Sequence, residues 1–97
     1  MNFKLHPEAS TEIQEAVIWY EEQQSGLGKS FASETEAAIY RIAHFPEINS
    51  EIVKNIRRAI VPGFPYGIIY STGKDLIEVY AVAHLHRRPF YWKSRTK

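Results

Sequence analysis

A chain of 97 residues with a net charge of +1 has room for one hydrophobic core, since lengths below about 150 residues rarely divide into two. Its 44% apolar and 13% aromatic content excludes a disordered polymer, and no run approaches the roughly 18 apolar residues of a membrane-spanning helix. Zero cysteines exclude disulfides, thiolate nucleophiles and cysteine-ligated metals, and with an N-terminus that lacks a secretory pattern they make the cytoplasm the expected compartment.

Residues 2–6, NFKLH, alternate with Phe3 and Leu5 on one face and are expected to form a short strand. Pro7 suits a first helical turn, where its missing donor is not needed, and Glu8 and Glu12 complement the positive helix end. A helix over 7–24 follows, with Ala9, Ile13, Ala16, Val17 and Tyr20 forming one apolar stripe that Ile18 and Trp19 broaden. The glycines of SGLG, residues 25–28, suit a tight connection with positive φ. A second helix over 29–44 lines up Phe31, Thr35, Ala38, Ile42 and Phe45, with Ile39 beside them, and Pro46 ends it. From Asn55 three strands are expected: NIRRAIV, FPYGIIYS and DLIEVYAVAH, separated by Pro62–Gly63 and by Thr72–Asp75. Connections this short force antiparallel neighbours. The order β, α, α, β, β, β defines an α+β fold, a helical hairpin packed on one face of a small, mainly antiparallel sheet.

Charge is divided along the chain. Through Glu51 three basic residues face nine acids, a balance of −6; from Ile52 onward nine basic residues face Asp75 and Glu78, a balance of +7. Such a basic half attracts polyanions or an acidic protein segment.

The reactive side chains concentrate in HLHRRPFYW, residues 84–92. His84 and His86 are two apart on a strand end and therefore share a face. Two imidazoles fall short of the three or four ligands of a zinc site, and His6, His44 and the scattered acids have no ligand spacing, so no metal or other cofactor is expected. Arg57 and Arg58, and Arg87 and Arg88, offer planar forks for phosphate or carboxylate. Neighbours on a strand point opposite ways, so at most one of Arg57 and Arg58 can face a shared cleft. Tyr91 amid arginines suits stacking on an exposed base. Alternatively, Phe90, Tyr91 and Trp92 fold back over the open side of the sheet, a role better matched to Phe90 and Trp92. Metal-free RNA cleavage needs a base for the 2′-hydroxyl proton, cations for the charged phosphorane and an acid for the leaving oxygen, and His84 or His86, the arginines and Tyr91 together offer groups for those roles with base and acid left open.

The stretches HPEASTEIQEAVIWYEEQQSGLGKSF, IRRAIVPGFPYGIIY and VAHLHRRPFYW, in this order, resemble the RelE/ParE superfamily of bacterial toxins, often called plasmid stabilisation proteins. The resemblance implies a βααβββ fold and the toxin role in a type II toxin–antitoxin pair, inhibited by a small antitoxin protein. RelE-like members cut messenger RNA on the ribosome with basic residues of the sheet, a late arginine and often a C-terminal tyrosine or histidine. Arg57 or Arg58, Arg87 or Arg88, and Tyr91 look comparable in position. ParE-like members poison DNA gyrase and need no catalytic set. FPYGIIY and HRRP are closer to that branch, and the lysine-rich strand region of the ribosome-dependent nucleases is represented here by Lys54 alone before the arginine pair. The alternative reading is an inactive toxin-fold module that binds an acidic partner and does nothing more.

Overall fold

The computed structural model describes residues 2–96. Strand β1, Asn2–Leu5, leads through His6 into helix α1, Pro7–Gln23, which has its proline in the first turn and Glu8 at its positive end. Helix α2, Leu27–His44, begins two residues earlier than its apolar stripe suggests. Glu21 of α1 explains the early start, because its carboxylate accepts the backbone N–H of Gly26 at 2.9 Å and of Gly28 at 3.0 Å, satisfying donors that a helix start leaves open. Gly26 supplies the turn with φ 89°.

The four remaining strands are β2, Glu51–Val53; β3, Ile56–Ile60; β4, Tyr66–Thr72; and β5, Leu76–His84. They make one sheet in the order β1-β5-β4-β3-β2, with β1 parallel to β5 and the other pairs antiparallel. The α+β class and the hairpin on one face stand as expected, but the sheet has five strands rather than four. Short β2, absent from the expected βααβββ order, has just three residues and carries no run of alternating apolar side chains. A tight turn at Asn55, φ 67°, folds it back onto β3.

The helix-side core joins Ala9 and Ala16 of α1, Phe31, Ala38 and Ile42 of α2, and Ile68, Tyr70, Ile77 and Val79 of the sheet. Phe31 is its aromatic centre, with ring centroids 5.4 Å from Tyr20, 5.1 Å from Phe64 and 4.9 Å from Tyr66. Ile18, Trp19 and Phe45, assigned to the apolar stripes from their spacing, are instead more than half exposed. The hairpin packs on the sheet through a narrower stripe than the apolar content of the helices suggests.

A bulge in β5 organises the other face. Tyr70 pairs with Val79 and Ile69 with Ala81, which leaves Tyr80 as the extra residue and turns both Tyr80 and Ala81 to the side away from the helices. There they join Ile56, Ile69 and Trp92 in a second core. Trp92, 4% exposed, arrives from the C-terminal arm, residues 85–96, which ends in the 3₁₀ turn Lys93–Thr96. The arm thus covers the face that the helices leave open. Among the described residues no helix is long and apolar enough to cross a membrane.

The two helices pack tightly at Gly28, since a Cβ there would sit 2.4 Å from the Val17 carbonyl oxygen. Gly28→Ala is expected to lower stability by about 1–3 kcal/mol, the usual penalty of overpacking, read by urea unfolding. An unchanged midpoint would mean that the hairpin relaxes freely at this point.

Candidate functional site

Where β5 runs into the arm, a cleft of about 130 Å³ opens between the sheet and residues 85–92. Arg58, His84, Arg87, Arg88 and Tyr91 line it, with Phe90 and Trp92 on the arm side. Arg58 reaches the cleft because the opposing strand is bare at Gly67: a Cβ there would lie 2.8 Å from Arg58 Cδ and 2.9 Å from Cγ. The aliphatic stem therefore lies flat on the Gly67 backbone, and the guanidinium is carried to the rim. Phe90, with φ 62° and 45% exposure, turns the arm outward before Trp92 dives into the second core. Phe90 is not buried over the sheet as Trp92 is, although its ring stays 5.7 Å from that of Trp92.

A residue absent from the sequence-derived set holds this wall in place. Strand β1 ends at Leu5, opposite Val79, so β5 has no strand neighbour on that side from Tyr80 onward. Glu12 of α1 fills the gap, its Oε1 accepting the Val82 N–H at 3.0 Å. The same carboxylate accepts the Tyr91 hydroxyl at 2.6 Å and both terminal nitrogens of Arg95, at 3.1 Å and 3.2 Å, with Arg87 at 3.4 Å. Arg95 also donates to the Tyr80 carbonyl at 3.0 Å, at the bulge. The side chains of Glu12 and Arg95 are 10% and 15% exposed, so this is a sequestered, bidentate ion pair rather than a surface one. The Tyr91 ring lies beneath Arg87, 3.7 Å from its centroid, and 5.2 Å from Arg95.

The candidate residues therefore separate into groups. Arg58, His84, Arg87, Arg88 and Tyr91 converge on the cleft, and His86 stands beside it with its ring 5.3 Å from that of His84. Arg57 does not join them. It points to the helix side, opposite Tyr70, and donates to the carbonyls of Glu47 and Asn49 in the α2–β2 connection. Of the adjacent pair, Arg58 is the one that faces the cleft. Elsewhere His6 pairs with Glu78 at 3.2 Å and His44 bonds the Tyr40 carbonyl of its own helix. Among the described residues no three histidines, aspartates or glutamates gather as a metal would require.

Protonation narrows what the cleft can do. His84 Nδ1 accepts the backbone N–H of His86 at 3.1 Å, so the neutral ring carries its proton on Nε2 and its acceptor nitrogen is already occupied. The Tyr91 phenol is pushed far above its ordinary value by burial, and further by the Glu12 carboxylate that accepts its proton. Arg87 and Arg95 pull in the opposite direction without overcoming this. Tyr91 is thus an anchored donor on the α1 side, while its ring forms cleft wall. The geometry favours binding an anionic group on Arg58 and Arg88 over shuttling protons.

No family model matches the chain, and no curated protein matches it in sequence. Among solved structures, a chain of one described as "Chromosomal ParDE TA system from P. aeruginosa" is similar with a TM-score of 0.66 and 9% identity, over 89% of this chain and 97% of that one. The likeness is one of fold: the α+β arrangement is the ParE/RelE-like one that the resemblance of the three sequence stretches implied.

Removing Glu12 would leave the Tyr91 hydroxyl and the Val82 amide without partners and the Arg95 charge without its carboxylate. Glu12→Ala is expected to cost about 3–5 kcal/mol in thermal or urea unfolding, and Glu12→Gln, which keeps an acceptor, less. A loss below about 1 kcal/mol, the size of a surface pair, would contradict the assignment. Because Tyr91 ionises with more difficulty folded than unfolded, its contribution to stability is complete below pH 10, the ordinary tyrosine value, and declines as pH rises past it. Unfolding measured on either side of pH 10 is expected to show a shallower decline for Tyr91→Phe than for the parent chain. Tyr20 and Tyr66, also raised by burial, contribute in the same direction.

Proposed function

We propose that this chain is the toxin of a type II toxin–antitoxin module, held inactive in the cytoplasm by an acidic antitoxin, and that it arrests growth by binding DNA gyrase rather than by cutting RNA. The observation that carries the choice of mechanism is the bond from the Tyr91 hydroxyl to Glu12. It commits the one tyrosine lining the cleft to a structural carboxylate, which withdraws Tyr91 from the role of acid in an RNA cleavage. Support for the module comes from the fold shared with a chain of a ParDE TA system and from the cleft arginines. Arg58 and Arg88 make no ion pair among the described residues and are suited to the carboxylates of an acidic segment.

A second reading, ribosome-dependent cleavage of messenger RNA, draws on one specific feature. The imidazole of His86 is exposed, has no hydrogen-bond partner among the described residues and stands beside the cleft arginines, where it is free to act as a base.

Induced expression in a bacterial host, followed by parallel readings of chromosome integrity and transcript ends, separates the possibilities. Growth arrest with double-strand DNA breaks and intact messages is expected, and Tyr91→Phe is expected to keep that activity within about threefold, the scale of a change that spares the binding contacts. Cut messages, together with loss of arrest in the Tyr91→Phe or His86→Ala chain, would establish the nuclease reading instead. Normal growth at high expression would leave a binding module. For the antitoxin, Arg58→Ala with Arg88→Ala is expected to weaken binding about tenfold or more, measured by calorimetry at fixed salt.

A further inference from the structure

On the helix side of the sheet, a groove of about 360 Å³ opens between β1, α1 and α2. It shares no residue with the Arg58–Arg88 cleft, and its volume falls within the roughly 300–1,000 Å³ of small-molecule sites. Phe3 and Leu5 of β1, Ile13 of α1 and Ile39 of α2 give it apolar walls. Phe3, 51% exposed, and Tyr40, 67% exposed, leave its mouth open to solvent.

Two adjacent residues of α2 bring polar groups to these walls. Thr35, placed in the apolar stripe by its spacing, is 2% exposed, and its hydroxyl has no hydrogen-bond partner among the described residues. A threonine inside a helix ordinarily returns its hydroxyl to a carbonyl one turn earlier. This one does not, and a buried polar atom left unpaired in a native fold calls for an explanation. Glu36 is exposed, lines the same groove and makes no ion pair among the described residues. Apolar walls, one buried hydroxyl and one carboxylate at the solvent side together define the ligand: an apolar body that carries a single positive charge with hydrogen-bond donors.

From these features we infer that the β1–α1–α2 groove binds a small amphiphilic monoamine. Its apolar chain rests on Phe3, Ile13 and Ile39. Its ammonium group, with three donors, bonds the Glu36 carboxylate and the Thr35 oxygen, which rotation about χ1 turns toward the ligand. A polyamine fits poorly, because its further charges would be desolvated against apolar walls. A carboxylic acid would meet Glu36 with like charge. The inference goes beyond the toxin reading and depends on neither gyrase nor an antitoxin.

Nuclear magnetic resonance titration of the labelled full chain with octylamine tests it. The Ile13, Ala32 and Ile39 signals are expected to shift, with half-saturation at or below about 1 mM. Octanoate, which reverses the charge, and ethylamine, which removes the chain, are each expected to bind about tenfold more weakly or worse. Glu36→Gln is expected to weaken octylamine about tenfold and Thr35→Val about threefold. Glu36 is exposed, so the dispersed spectrum of its variant reports folding directly. Thr35→Val replaces an unpaired hydroxyl with a methyl group of similar shape, and is expected to unfold at the same or a higher urea concentration than the parent. An earlier unfolding would show that the hydroxyl already has a partner within the fold, and would overturn the inference. No shift at about 5 mM octylamine, equal binding of octanoate, or undiminished binding by either variant would also overturn it. So would shifts at Phe3 and Tyr40 that grow with protein concentration alone, which would assign the face to a second copy. Toxicity is not read at any step, so a failure here is distinct from a failure of the toxin reading.

Discussion

A single carboxylate, sequestered where β1 gives out, determines the geometry on which the candidate site depends. Parallel β1 is too short to cover the whole edge of β5, and the exposed Val82 amide and Tyr80 carbonyl beyond it need partners. Glu12 from α1 and Arg95 from the arm supply them, and in doing so bind to one another. The ion pair answers a backbone demand, which is why it is sequestered despite the cost of desolvating two charges. Once Arg95 is held, Trp92 is drawn over the open face of the sheet and Tyr91 is brought against the carboxylate. Position of the arginine wall follows.

This arrangement also reconciles the division of charge along the chain. The acidic half forms the helical hairpin and the basic half the sheet and arm, and Glu12 is the point at which the first meets Arg87 and Arg95 of the second. Glu12 thereby engages two basic residues, Arg95 within the fold and Arg87 at its exposed rim. Arg58 and Arg88 remain to act outward, a smaller positive surface than the +7 balance suggests. A site with two free guanidinium groups, an occupied histidine acceptor and a tied phenol is better equipped to hold an anionic partner than to transform one.

Much of the architecture was legible in the residues. Pro7, the SGLG turn and the 3.6-residue stripe of Phe31, Thr35 and Ala38 mark the helical hairpin, and the β-branched runs mark the three long strands. Strand alternation allows at most one of Arg57 and Arg58 to face the HRRP segment but does not say which. Other features were hidden for identifiable reasons. Strand β2 is too short to show a period, and the early start of α2 depends on a carboxylate that reaches across a turn from Glu21. The bulge at Tyr80 inverts the parity of everything after it, which local alternation does not reveal. Glu12 did leave a trace: it follows Ala9 by three residues and precedes Ala16 by four, so it lies within the buried stripe, where a charge demands a partner. Its partners are some seventy to eighty residues away in the chain. That distance is why Arg95 is not among the candidate residues that the sequence marks.

The central claim is that Glu12 and Tyr91 act as one structural unit. A double-mutant cycle of Glu12→Gln and Tyr91→Phe, evaluated by equilibrium unfolding near neutral pH, measures their coupling directly. The account requires an interaction energy of about 1 kcal/mol or more, in keeping with a charged hydrogen bond in a sequestered site. Strictly additive losses would show that the tyrosine stands independent of the carboxylate and is available to the cleft as an acid.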